Sequence, residues 1–225
     1  MRAIICLVEG KGDEKAVPTL IAKVLSDNKV WDWYVGTTIR VHGLAKLRKE
    51  LKRYLSRAAK IKNCGAILIL LDLDDGCPKK EAEKLAEEIR ALGLAQPVAI
   101  VFAHREYEAW FLASLSTIAG HEGLPFDVVY QGEVEQKRDA KGWLQAQMPP
   151  HSKYNPMSHQ KKFTSLIDLE LAYENSRSFR RLYHAIAELL EAAQKGERGI
   201  VSPGQAPPDG EKDGDSYDEL PSAVR

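Results

Sequence analysis

Two short acidic motifs follow buried apolar runs in the first third of the chain. Glu9 closes the run Arg2–Val8 and is followed by glycine. Asp72 and Asp74 close the run Ala66–Leu71. Alternate residues of an extended segment share a face, so Asp72 and Asp74 can converge on one ligand. Neighbouring carboxylates repel one another unless a cation lies between them, and Mg²⁺ and Mn²⁺ prefer such oxygen ligands. The motifs therefore predict a divalent-metal site.

The apolar pattern predicts the elements that would hold these carboxylates in place. Short buried runs alternate with helix-spaced apolar residues up to about residue 115, which is typical of a parallel sheet covered by helices on both faces. The predicted strands are Arg2–Val8, Trp33–Val41, Ala66–Leu71 and Val98–Ala103. Loops at the carboxyl ends of such strands meet at one sheet edge, where ligands bind. We therefore expect an α/β domain with a mostly parallel four-stranded sheet flanked by helices.

The rest of the chain divides into two further segments. Residues 121–201 begin irregularly and return to helix, so we expect a mainly helical C-terminal extension after a metal-binding domain of residues 1–120. Residues 202–225 are rich in Pro, Gly and Asp, which predicts a disordered acidic tail. This tail carries six acids against Lys212 and Arg225, so the net charge of zero conceals a modestly basic remainder. That charge permits a polyanionic partner.

Cysteine usage and hydropathy restrict the cellular setting. Cys6, Cys64 and Cys77 are odd in number and lack the paired spacing of a zinc site. No apolar run approaches the ~20 residues that a membrane-spanning helix needs. We therefore expect a reduced, cytoplasmic protein with no membrane association, and the sequence leaves a homo-oligomer open.

Two groups of basic residues could contact phosphates. The segment Lys46–Lys62 carries eight basic residues and one acid, and a second group lies beside aromatic residues in the C-terminal third. Such runs are usually solvated helix faces, but they can equally track a nucleic-acid backbone. No base-reading motif accompanies either group. The candidate nucleic-acid-binding residues are Lys11, Lys49, Arg53, Lys161, Lys162, Arg177, Arg180 and Arg181.

The order of the acidic motifs resembles a known fold family. A strand ending in Glu-Gly at Glu9, a helical crossover and a later strand ending in Asp-x-Asp at Asp72 are similar to the Toprim signature of topoisomerases, bacterial primases and overcoming-lysogenization-defect nucleases. The segments His104–Phe111 and Ser176–Leu182 look like a group of small stand-alone Toprim-like proteins of unassigned function. Genes of that group often lie beside an ATPase gene, in settings that suggest anti-phage defence.

The resemblance implies roles for individual residues. It makes Glu9 a metal ligand or an acid/base group, and it makes Asp72 and Asp74 the metal-binding aspartates. In two-metal nucleases of this type, further acids complete a second site that helps to orient water and to stabilise the leaving oxygen of a phosphodiester. The acids available for that site are Asp13 or Glu14, together with Glu106 or Glu108. The last two could equally belong to a helix start or an ion pair.

The implied function is Mg²⁺- or Mn²⁺-dependent hydrolysis of DNA or RNA, as the effector of a two-component defence system with an ATPase partner. The chain has no room for the tyrosine-bearing domain of topoisomerases and no zinc module like that of primases, so hydrolysis is the expected reaction. Three alternatives stay open. They are a non-catalytic metal-binding subunit that regulates an ATPase, a ribonuclease that matures structured RNA, and a phosphatase with an Asp nucleophile. The phosphatase is disfavoured because its Asp-x-Asp usually follows the first strand.

Overall fold

Five parallel strands form one sheet at the centre of the protein, in a computed structural model that describes residues 1–204. The strands are β1 (Arg2–Val8), β2 (Trp33–Arg40), β3 (Cys64–Leu73), β4 (Pro97–His104) and β5 (Gly199–Ser202). Their order across the sheet is β2-β1-β3-β4-β5, and every pairing between neighbours is parallel. The predicted α/β class and parallel sheet are confirmed.

The number of strands differs from the predicted four, because the C-terminal extension contributes a fifth. Gly199–Ser202 pairs with the beginning of β4, so that Val98 lies level with Ile200. A four-residue strand after a long helix carries too little alternation to be recognised in the sequence. Ser202, the first residue of the predicted acidic tail, is buried at the end of this strand. From residue 205 onward the predicted tail lies outside the described residues.

Helices cover both faces of the sheet. They are α1 (Asp13–Asp27), α2 (Leu44–Lys49), α3 (Leu51–Ala59), α4 (Pro78–Arg90), α5 (Ala109–Ala113), α6 (Leu115–Ile118), α7 (Ala140–Gln147), α8 (Lys161–Leu166), α9 (Leu169–Asn175) and α10 (Arg177–Lys195). One face packs against α1 and the helices that follow β4, and the other packs against α2, α3 and α4. In the part of the chain that the structure describes, no helix is long and apolar enough to cross a membrane.

The sequence of β1 explains why helices must pack on both faces of the sheet. Ile4 and Cys6 belong to the core beneath α1, whereas Ile5 and Leu7 belong to the core beneath α2 and α3. All four side chains are fully buried. A strand with no polar face therefore lies between two hydrophobic layers, as expected for a parallel sheet.

The C-terminal extension shares its core with the first 120 residues. The ring of Trp110, on α5, lies 5.4 Å from that of Phe179 on α10, and its indole N–H donates to Ser178 at 2.9 Å. Phe111 makes an edge contact with Phe163 of α8 at 5.5 Å. These four rings are fully buried in one cluster that also contains residues of β1, β3 and β4. The two segments distinguished in the sequence are therefore joined by a single hydrophobic layer.

Replacing Phe111 by Ala should lower the free energy of unfolding by about 3–5 kcal/mol, because a buried ring is lost and a cavity remains. Phe126→Ala is the control, since that ring is 89% exposed and its loss should change stability by less than about 0.5 kcal/mol. Urea denaturation measures both variants. Equal stabilities, or separate unfolding of the two segments in the wild type, would contradict a shared core.

Candidate functional site

Acidic residues follow the carboxyl ends of three adjacent strands. Because β1, β3 and β4 are parallel neighbours, Val8 lies level with Leu70, and Asp72 lies level with Ala103. The loops after these strands consequently open at the same edge of the sheet. This is the edge at which ligands bind in open α/β folds.

The carboxylate of Glu9 reaches the end of β3. Burial raises its pKa above the usual value, and repulsion from Asp13 and Asp74 adds to the increase. A hydrogen bond with the backbone of Asp72 and the attraction of Lys141 oppose these effects without reversing them. Glu9 therefore lies in a half-buried position with an excess of negative charge around it.

Asp72 is the centre of this negative charge. Its carboxylate accepts a hydrogen bond from the backbone N–H of Tyr107 at 2.9 Å, which links β3 to the loop after β4. Burial raises the pKa of Asp72 well above its usual value, and repulsion from Glu108, Asp13 and Glu9 raises it further. The structure thus brings acids at or just beyond the carboxyl ends of β1, β3 and β4 within electrostatic reach of one another.

Asp74 differs from the other two predicted ligands in its exposure. Its side chain lies at the surface, close enough to raise the pKa of Glu9 by repulsion. The Asp74 carbonyl accepts a hydrogen bond from the guanidinium of Arg105, and Arg105 also pairs with Asp75 at 3.1 Å. These contacts fix the backbone of the loop while leaving the Asp74 carboxylate accessible.

Asp13 is held from two sides at the start of α1. Its carboxylate accepts hydrogen bonds from the backbone N–H of Gly10 at 2.7 Å and from the side-chain amide of Gln160 at 2.6 Å. Gln160 is buried in a π-helical turn and approaches Gly12 so closely that a Cβ at position 12 would lie 1.8 Å from its amide oxygen. The loop that carries Glu9 is therefore shaped by the C-terminal extension.

Glu106 and Glu108 flank a lysine to which no sequence motif pointed. The Lys141 Nζ lies 3.9 Å from Oε1 of Glu106 and 3.9 Å from Oε1 of Glu108. The backbone N–H of Lys141 donates to Glu106 Oε2 at 3.0 Å, and the hydroxyl of Tyr154 donates to Glu108 Oε1 at 3.0 Å. Glu108 is only 2% exposed, and this burial raises its pKa to about 7.

The carboxyl edge of the sheet is called the acidic edge below, and its acids are Glu9, Asp13, Asp72, Asp74, Glu106 and Glu108. Several of these acids have polar partners in the C-terminal extension. Lys141 lies on α7, Tyr154 precedes the π-helical turn, and Gln160 ends it. No spacing in the sequence relates these residues to the strand ends that they contact, because more than 30 residues separate each pair. Their roles follow from the packing of the extension and could not be recognised from local patterns.

Some predicted nucleic-acid-binding residues are available for contact. Lys11, Lys49, Lys161 and Arg177 are exposed. Lys11 lies in the loop after β1, and Lys49 ends α2, which follows the carboxyl end of β2. Lys11 therefore lies beside the acids at the end of β1, whereas Lys49 lies one helix away from them.

Other predicted contacts are engaged within the protein. Arg53 pairs with Glu50, and Lys162 pairs with Glu122 at 2.6 Å. Arg180 donates two hydrogen bonds of 3.0 Å to backbone carbonyls at the end of α9. Arg181 forms a two-point ion pair with Glu188 and also donates to Ser202. Arg180 and Arg181 thus connect α10 to its neighbours.

The donor chemistry of the edge suits a hard divalent cation, although the side chains are not gathered around one. Carboxylate oxygens are the ligands that Mg²⁺ and Mn²⁺ prefer. Burial is the main cause of the raised pKa values of Glu9 and Asp72, and repulsion from neighbouring acids, which a cation would relieve, adds to it. Within residues 1–204, however, no three His, Cys, Asp or Glu side chains are grouped closely enough to hold a metal ion. A bound cation would have to draw Glu9, Asp72 and Asp74 together.

The fold and this edge define an α/β protein with an acidic cluster beyond its parallel strands. A family described as a domain of unknown function (DUF4276) matches residues 8–187, which is more than half of the chain, so the protein belongs to that family. No curated protein and no solved structure matches it. The matched range contains every candidate site residue.

Replacing Glu108 by Gln should make stability less dependent on pH in metal-free buffer. The pKa of Glu108 is about 7 in the folded protein and about 4.5 in an unfolded chain, so wild-type stability falls as the pH rises between these values. Gln stays neutral and still accepts the hydrogen bond of Tyr154. Relative to the wild type, the variant should therefore gain about 1–3 kcal/mol across this window.

Urea denaturation at several pH values between 4 and 8 measures this difference. Asp127→Asn is a matched control, because Asp127 is exposed and its loss should leave the pH profile unchanged. Parallel profiles for Glu108→Gln and the wild type would show that Glu108 ionises normally.

Proposed function

We propose that this protein is a divalent-metal-dependent nuclease of Toprim type. The observation that carries the proposal is the position of Glu9 and Asp72 at the ends of adjacent parallel strands, within electrostatic reach of each other, with the exposed Asp74 two residues after Asp72. The order of these residues along the chain resembles the Toprim signature. Their mutual repulsion supplies the electrostatic reason for a cation, Mg²⁺ or Mn²⁺, at this position.

The chain's own groups would perform three tasks in phosphodiester hydrolysis. Glu9, Asp72 and Asp74 would hold the cation, which would supply Lewis-acid polarisation of the phosphate and activation of water. Alternatively, Glu9 would act as the acid/base group that accepts a proton from the attacking water, the other role that the resemblance implies for it. Lys11, in the loop after β1, and Lys49, on the helix that follows β2, would neutralise phosphates of a bound strand.

The resemblance to stand-alone Toprim-like proteins extends the proposal to a biological setting. In that setting the protein is the cytoplasmic nuclease of a two-component anti-phage system, and its partner is an ATPase.

Purified protein should cleave nucleic acid with Mn²⁺, and Glu9→Gln or Asp72→Asn should reduce the rate by at least about 100-fold, because each removes a charged ligand. Glu87→Gln is the control, since Glu87 is an exposed acid on α4. Gel-based cleavage of plasmid DNA and of folded RNA, with and without chelator, measures the rates. Activity that survives both substitutions would contradict the mechanism.

Comparing the two substrates also separates the proposed nuclease from a ribonuclease of structured RNA. Preferential cleavage of folded RNA would favour the RNA-maturing alternative. Cleavage of both polymers, or of DNA alone, would favour the defence nuclease.

One observation favours a second candidate, a non-catalytic subunit that regulates an ATPase. The acids Glu106 and Glu108 already have protein partners, and in the described part of the chain no preformed metal arrangement exists. A subunit of this kind would bind Mn²⁺ without cleaving nucleic acid and would change the ATP hydrolysis rate of its partner. Measuring both properties in the co-purified complex distinguishes it from the nuclease.

Binding of nucleic acid should depend on Lys11 and Lys49. In a Glu9→Gln background, which prevents cleavage, replacing both lysines by Ala should weaken duplex binding. It should also reduce the slope of log affinity against log salt concentration by about 0.9 for each lost phosphate contact. Lys62→Ala is the control, because Lys62 is exposed but precedes β3 and so lies at the opposite edge of the sheet. Fluorescence anisotropy at several salt concentrations provides the slopes, and an unchanged slope for the double variant would exclude this contact.

A further inference from the structure

Lys141 brings a positive charge from the C-terminal extension into the acidic edge. Its Nζ lies 3.9 Å from a carboxylate oxygen of both Glu106 and Glu108. Burial lowers the pKa of Lys141, but attraction by Glu108 and Glu106, and then by Asp72 and Asp13, outweighs burial, so the net shift is upward. The ammonium group is therefore charged, next to the two acids that follow β4 and within electrostatic reach of Asp72 on β3 and Asp13 on α1.

We propose that the Lys141 ammonium takes the position of a second metal ion, so that the site binds one divalent cation instead of two. The inference rests on the proposed function, and it removes Glu106 and Glu108 from the metal ligands. In place of a two-metal arrangement, the protein would combine one exchangeable cation with one permanent positive charge.

The hydrogen bonds of Glu106 and Glu108 support this assignment. Oε2 of Glu106 accepts a hydrogen bond from the backbone N–H of Lys141 at 3.0 Å, and Oε1 forms a longer ion pair with Nζ at 3.9 Å. Oε1 of Glu108 faces Nζ and also accepts from Tyr154, and the side chain is 2% exposed. A metal ion at these carboxylates would have to displace Lys141 and break its bonds.

The backbone around Lys141 keeps the ammonium in place. Lys141 is the second residue of α7, whose start is capped by Asp139 through a hydrogen bond of 2.7 Å from the backbone N–H of Gly142. The Lys141 backbone N–H points to Glu106, so main chain and side chain are anchored on the same acid. The helix therefore presents the lysine to the edge in a fixed direction.

The remaining donors match a single cation. Asp13 has both oxygens engaged, with Gly10 and with Gln160. Glu9, the Asp72 oxygen that does not accept from Tyr107 and the exposed Asp74 are left. Mg²⁺ is usually held by few carboxylates, with water completing its shell, so these three suffice for one ion.

A lysine in this position has a chemical role that a structural ion pair would not have. The Lys141 side chain is 43% exposed, so its ammonium can also contact a phosphate oxygen of a bound strand. An ammonium in such a site stabilises negative charge that develops on that oxygen. Chelators would remove the metal and leave this charge untouched.

The experiment measures how many Mn²⁺ ions the full chain binds, by isothermal titration calorimetry and by metal analysis after dialysis. Electron paramagnetic resonance detects whether two bound Mn²⁺ ions are coupled. The wild type should bind one Mn²⁺ per chain. Lys141→Met should bind two, with a coupled signal, because Glu106 and Glu108 become free. Lys141→Arg keeps the charge and should remain at one, as should the control Lys137→Met.

A second variant tests the same inference without altering the lysine. Glu106→Gln should leave the wild-type stoichiometry at one, because Glu106 is not a metal ligand. Two Mn²⁺ ions in the wild type, with loss of one in Glu106→Gln, would overturn the inference and leave the proposed function intact. One ion in a folded Lys141→Met would also overturn it. No Mn²⁺ bound by the wild type would overturn both proposals.

Discussion

Mutual repulsion among carboxylates is the constraint on which the carboxyl edge of the sheet depends. A parallel sheet brings the ends of adjacent strands to the same side, and here three of those ends carry acids. Burial raises the pKa values of Glu9, Asp72 and Glu108, and repulsion from neighbouring acids raises them further. Hydrogen-bond donors from the surrounding structure and the positive charge of Lys141 partly offset this repulsion.

The C-terminal extension provides most of that compensation. Gln160 donates to Asp13, Tyr154 donates to Glu108, and Lys141 interacts with the acids after β4. The same extension completes the hydrophobic layer over α1 and adds a fifth strand to the sheet. Packing and electrostatics are thus linked. The segment that covers the core also carries the side chains that hydrogen-bond to the buried acids or offset their negative charge.

The sequence predicted the elements whose patterns are local. The buried runs of β1, β3 and β4 are found where the apolar pattern indicated them. The acids after β1 and β3 were recognisable because they interrupt apolar runs. Lys141 and Gln160 were not, because their partners lie far away in the sequence, and β5 was not, because four residues are too few for a pattern. The positions of Lys141, Gln160 and β5 depend on contacts between residues that are far apart in the sequence.

The contact between Gln160 and Asp13 spans 147 positions of the chain, and this separation bears on how the protein is made. During synthesis the N-terminal strands and their acids leave the ribosome well before the segment that satisfies them. Until that segment arrives, the glycine-rich loop after β1 lacks the amide that shapes it. The arrangement of these acids is therefore completed late in folding. A nascent chain halted before residue 160 would carry the acids without the hydrogen bond from Gln160 that holds Asp13 in place.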